Sequence, residues 1–85
     1  MTEQQLNALQ VRIRASTLGA RIHLQERTAV RMRAMSNNAL LHHRDADAAA
    51  YDRSASFAER KAAKLFEELL TLTEGYLGSL EGVLP

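Results

Sequence analysis

The residues of this chain best suited to chemistry are its three histidines and the acids beside two of them. His42, His43, Arg44, Asp45 and Asp47 form the densest polar cluster in the sequence. On a helix, His43 and Asp47 stand at i and i+4, share a face and could grip a divalent cation between them. Two ligands do not complete a coordination shell. The chain has no cysteine, and its remaining histidine, His23, is far away in sequence. No metal site is therefore expected. Asp45 and Asp47 read instead as carboxylates at a helix N-terminus, where the macrodipole favours negative charge. His23 falls on an apolar seam, which predicts a core histidine bonded to Tyr51. There is no Gly-rich phosphate loop, no zinc-protease helix, and no Ser/His/acid set that a thin rod would converge into a pocket. Neither an enzyme nor a bound cofactor is expected.

The elements that must position these residues are helices. The chain has 85 residues and 46% hydrophobic composition, dominated by Ala and Leu, with four aromatic rings: Tyr51, Phe57, Phe66 and Tyr76. That bias favours helix over sheet. Turn punctuation is sparse: four glycines, three of them at or beyond Gly75, and a single proline at position 85. The length allows one small domain over 1–85. No apolar run approaches the length of a membrane span, so no membrane partner is expected. The polar opening Met1-Thr-Glu-Gln-Gln does not read as a signal peptide, which with the absence of cysteine points to the cytoplasm.

Thr2-x-x-Gln5 has capping-box spacing, so a first helix is predicted over about 3–35. Two apolar seams run along it. One is Leu6, Leu9, Ile13, Ser16, Ala20, His23, Arg27, Val30, Ala34. The other is Ala8, Val11, Ala15, Leu18, Ile22, Gln25, Ala29, Met32. At 100° per residue they lie roughly 150° apart, so the helix must have neighbours on both sides. Ser36-Asn37-Asn38 is the best turn signal, because Asn tolerates the left-handed conformation at a helix C-terminus. A second helix follows over about 39–80, with the seam Leu41, Arg44, Ala48, Tyr51, Ala55, Ala58, Ala62, Leu65, Leu69, Leu72, Tyr76. Ser56-Phe57-Ala58-Glu59 is itself a capping box and could restart a helix after a break near 53–56, which would give a three-helix bundle. The unbroken phase of the seam favours one continuous helix.

The fold expected is all-α: an antiparallel hairpin of long, coiled-coil-like helices. Folding back at Asn37 sets the first seam on the second helix, with His23 opposite Tyr51 and Leu9 opposite Leu65. Arg27 would then snorkel from the seam towards Asp47 or Asp52. In this register the second helix outruns the first beyond Leu72. The surplus apolar seams predict a helical-bundle homo-oligomer, a dimer or larger. They also predict partner-binding residues: Val11, Leu18, Ile22 and Met32 on the first helix, and Phe66, Leu70, Tyr76, Leu77 and Leu80 on the second.

Charge is unevenly divided. Residues 1–44 carry seven arginines against two glutamates, +5, and residues 45–85 carry four bases against eight acids, −4. A basic helix lying beside an acidic one accounts for this most simply. The alternative is that Arg12, Arg14, Arg21, Arg31 and Arg33 offer phosphate-binding forks to RNA or DNA. The function expected is therefore that of a small interaction protein. It would act by binding another protein as adaptor, chaperone or stoichiometric inhibitor, with an Arg-rich nucleic-acid-binding regulator as the second reading.

Overall fold

In a computed structural model the described residues are 1–81, with side chains described through Gly78. They form two helices and no strand: α1, Glu3–Leu41, and α2, Asp45–Glu81. Together the helices make an antiparallel hairpin measuring 64 × 20 × 14 Å. None of the described helices is long and apolar enough to cross a membrane.

The start of α1 follows its sequence signal. Gln5 N–H donates to Thr2 Oγ1 at 3.2 Å, and Thr2 N–H donates to Gln5 Oε1 at 2.9 Å, closing the capping box. The turn does not fall at 36–38. α1 runs through Ser36, Asn37 and Asn38 and stops at Leu41. His43 N–H donates to Leu40 C=O at 3.1 Å and Arg44 N–H to Ala39 C=O at 2.8 Å. These two bonds form the Schellman closure of a helix C-terminus, with His43 at φ 59° in the left-handed position that glycine usually fills. Histidine is among the side chains that enter this region more readily than most. His42 Nδ1 lies 2.8 Å from Asn38 C=O, so Asn38 serves as an acceptor inside the last turn rather than as a helix breaker.

α2 is continuous across 53–56, so the three-helix alternative does not hold. Ser56 does not begin a helix; its hydroxyl faces α1 and accepts from Arg33 Nη2 at 3.5 Å. Asp45 and Asp47 occupy the first turn of α2, as expected, and Asp47 approaches Arg44 at 3.9 Å.

The later turn changes which face of α1 meets α2. Leu18, Ala29, Ser36 and Ala39 are buried, with Val11, Ala15, Ile22, Gln25 and Met32 half-buried beside them. The interface is thus the seam that the sequence assigned to a partner. The seam expected to close the hairpin is outside, with Ile13 59% and Val30 71% exposed. The physical reason lies in phase: the seam of Leu18 and Ala29 continues through Ser36 and Ala39 to the observed turn, and its polar members are Gln25 and Ser36, the latter bonded to α2, whereas the first seam carries the imidazole of His23 and the charge of Arg27. His23 is exposed and has no bond to Tyr51, and Asp52 is taken by Arg33 rather than Arg27.

On α2 the expected seam holds from Ala48: Ala48, Ala55, Ala58, Ala62 and Leu65 are buried, and Tyr51, Leu69, Leu72 and Tyr76 half-buried, whereas Leu41, the last residue of α1, and Arg44, in the turn, are exposed. Near the turn the fully buried positions of both helices are small residues. There the buried Ser36 Oγ donates to Ala48 C=O at 3.0 Å, which fixes the register. Further out, Arg14 borders a groove with Thr71 and Leu72, so the first turns of α1 still accompany α2 past Leu72. The expected overhang of α2 is absent.

Candidate interaction surfaces

A two-helix rod has two broad sides, and here they differ in chemistry. On one side Arg33 reaches from α1 to α2. Its Nη2 and Nε donate to Glu59 Oε1 at 2.9 and 3.3 Å, and its Nη1 donates to Asp52 Oδ1 at 3.2 Å. The hydrogen bond and charge of Glu59 raise the guanidinium pKa above its usual value, and Asp52 adds to this; some desolvation opposes it. Arg33 is therefore a cross-helix tie, engaged by two acids.

Along this side α2 presents two columns at heptad spacing. One reads Asp45, Asp52, Glu59, Phe66, Thr73, and the other Ser56, Ala63, Leu70, Leu77. Both are polar towards the turn and change to mainly apolar at Ala63 and Phe66. Phe66, Leu70 and Leu77 are 51%, 45% and 54% exposed. A shallow groove between Ile22 and Glu26 of α1 and Glu59, Ala62, Ala63 and Phe66 of α2 marks the change.

The opposite side is mixed in charge at its middle. Arg14 and Lys64 line a groove together with Glu67 and Glu68, and Arg21 stands one heptad further along α1. Lys61 Nζ sits 4.8 Å from the centroid of the Phe57 ring. Nearer the turn a second groove is walled by Leu24, Thr28 and Met32 against Arg53 and Phe57, with Leu24 59% and Phe57 55% exposed.

Of the residues expected to bind partners, Leu18 is only 3% exposed and is spent on the hairpin, while Val11, Ile22 and Met32 form its edges. Phe66, Leu70 and Leu77 remain outside on one face; Tyr76 is half-buried on the α2 seam. The side chain of Leu80 lies outside the described residues. The arginines do not form one surface. Arg14, Arg21 and Arg31 turn to the side of the Lys64 groove. Arg12 and Arg33, each 200° around the helix from Arg14 and Arg31, turn to the other. Leu24 and Phe57 were missed. Phe57 lies off every seam, and only the position of Leu24 across the groove from it gives either a role. His43 and Asp47 do not share a helix face, because His43 belongs to the turn.

The chain matches no protein-family model, no curated protein and no solved structure.

Proposed function

We propose that the chain is a small non-enzymatic interaction protein of the cytoplasm. It self-associates into a helical bundle and binds another protein as adaptor, chaperone or stoichiometric regulator. The observation that supports this is the exposure, on a hairpin already closed, of large hydrophobic side chains on both broad sides: Phe66, Leu70 and Leu77 on one, Leu24 and Phe57 on the other. Exposed large apolar side chains grouped on the sides of a small protein support a binding role. The test is capture from the native host with the full-length chain, comparing wild type with Phe57→Asp and Leu70→Asp. A partner retained by wild type and lost from one variant supports the reading. A partner list unchanged by both removes it.

A second reading is a nucleic-acid-binding regulator. Arg14 and Lys64, which border one groove from the two helices beside Glu67 and Glu68, with Arg21 a heptad further along α1, favour it. Retardation of RNA or DNA at low salt should then fall steeply as salt rises, and Arg14→Ala or Arg21→Ala should weaken it alike for all sequences. Arg33→Ala should not, because Arg33 is turned away and engaged.

A further inference from the structure

The two groups of exposed apolar side chains sit in opposite charge. Residues three or four positions from Leu24 or Phe57 share its patch of helix surface. Of these eight, five are bases, Arg21, Arg27, Arg53, Arg60 and Lys61, and none is an acid. Around Leu70 the same positions include Glu67 and Glu74 and no base. Among the described residues no ion pair engages any of the five bases. Leu24 and Phe57 also wall one groove, with Thr28 and Met32 on the α1 side and Ala50 and Arg53 on the α2 side. The groove runs over 24–32 of α1 and 50–58 of α2, eight steps of 1.5 Å, or about 12 Å.

From this we infer that the Leu24–Phe57 groove seats a single amphipathic helix of another protein, with apolar anchors at i, i+4 and i+7 and acidic residues on both flanks. The inference deepens the interaction-protein reading, on which it rests, by naming the side that binds and the chemistry it takes. Helix positions i and i+7 lie about 10 Å apart along the axis, which matches the length of the groove. Such a helix lays its apolar anchors against Leu24, Met32 and Phe57, and its acids meet bases that have no other partner. A basic helix would set like charges together and is rejected. Nucleic acid would answer the bases but leave Leu24 and Met32 without apolar contact, and the Phe57 ring on which a base would stack is already approached by Lys61 Nζ at 4.8 Å.

Leu24 and Phe57 are both more than half exposed, so truncating them leaves the packing between the helices intact. The probe is a labelled synthetic helix of about 15 residues, the length at which an isolated helix begins to hold, with leucine along one face and glutamate beside it. A second peptide carries lysine at every glutamate position. Titrated with the full chain at low salt and followed by fluorescence anisotropy, the glutamate peptide should bind at least about tenfold more tightly than the lysine peptide, and its binding should weaken as salt rises. Leu24→Ala and Phe57→Ala should each weaken it about tenfold, and Leu70→Ala should leave it as in wild type. Equal binding of the two peptides would overturn the acidic partner. Binding weakened by Leu70→Ala and not by Leu24→Ala would overturn the choice of groove. No binding of the glutamate peptide would overturn the proposal outright; an oligonucleotide bound at low salt, or a dimer that Leu24→Ala dissociates, would then name nucleic acid or a second copy as the occupant. A host protein captured by wild type and lost only from Leu70→Asp would overturn this groove while the broader interaction-protein reading stands.

Discussion

The half of the hairpin beside the His42–Arg44 turn and the half that carries the chain ends are held by different means. Near the turn the buried residues are small: Ala29, Ser36, Ala39, Ala48, Ala55 and Ala58. A buried hydroxyl bond and the Arg33 tie then fix how the helices sit. In the open half Leu18 and Leu65 are buried, but Leu6, Leu9, Ile13, Phe66, Leu70 and Leu77 are all at least 40% exposed. One half gains its order from small buried residues and directional bonds, while Leu24, Val30, Leu40, Leu41 and Phe57 stay exposed on its outside. The other buries the larger apolar side chains, Leu18 and Leu65, and likewise leaves several exposed. The two halves thus differ in how their interface is packed, not in how much apolar surface they leave in water.

The largest effects should separate these two modes of packing. Leu18→Ala removes one of the two large buried side chains and should cost about 2–4 kcal/mol in denaturant unfolding. Leu40→Ala, 51% exposed near the turn, should cost less than about 0.5 kcal/mol. Next comes overpacking. Ala55 is 0% exposed among small buried residues, and Ala55→Leu should cost about 1–3 kcal/mol, with the helices forced apart. Ala8→Leu in the looser open half should be neutral or stabilising. If Ala55→Leu is as well tolerated as Ala8→Leu, the contrast between the two halves fails.

The same contrast explains what the sequence disclosed. Helix type, the capping box at Thr2 and the α2 seam from Ala48 to Tyr76 were legible, because each rests on local chemistry or on a period sustained without a slip; Leu41 and Arg44, put at the start of that seam, fell with the misplaced turn. The turn was not. Asn37 and Asn38 have the composition of a helix end, whereas the residue that closes α1 is a histidine in a glycine-like position. The unused clue was phase. Met32, Ser36 and Ala39 continue the Leu18 seam straight through the asparagines, which a turn would have interrupted. From the misplaced turn followed the wrong face of α1, the imagined overhang of α2, and the assignment of Leu18 to a partner. Phe66, Leu70 and Leu77 were legible as unpaired because they lie off the Ala48–Tyr76 seam, whichever face of α1 is used.

A smaller effect bears on the turn itself. The left-handed conformation costs a non-glycine residue about 1–2 kcal/mol, and glycine in its place loses roughly 0.5–1 kcal/mol more chain entropy on folding. His43→Gly should therefore stabilise by about 0.5–1 kcal/mol, seen as a raised denaturation midpoint with unchanged slope. A loss of stability would mean that the His43 side chain makes a contact worth more than the strain.

The smallest effect expected, and the sharpest test of how the turn half is fixed, concerns Arg33. Its partners are about half exposed, so water and salt screen the tie and its removal should change stability little. Acid or base is a poor probe. A base whose pKa is raised on folding contributes fully below its ordinary pKa and loses that contribution only as pH climbs through the raised value, which for arginine lies above the working range. Salt is the better lever. Arg33→Met should lower the unfolding midpoint slightly at low ionic strength, and the difference from wild type should vanish at high salt. Within the tie Glu59 accepts two of the three bonds to carboxylate and is the larger cause of the raised pKa. Glu59→Gln should therefore reproduce more of the Arg33→Met effect than Asp52→Asn. Arg12→Met, in the open half, should leave the salt dependence as in wild type. If Asp52→Asn proved the more damaging change, Arg33 would be anchored towards the turn, and Glu59, next to the start of the apolar face, would be free for a partner.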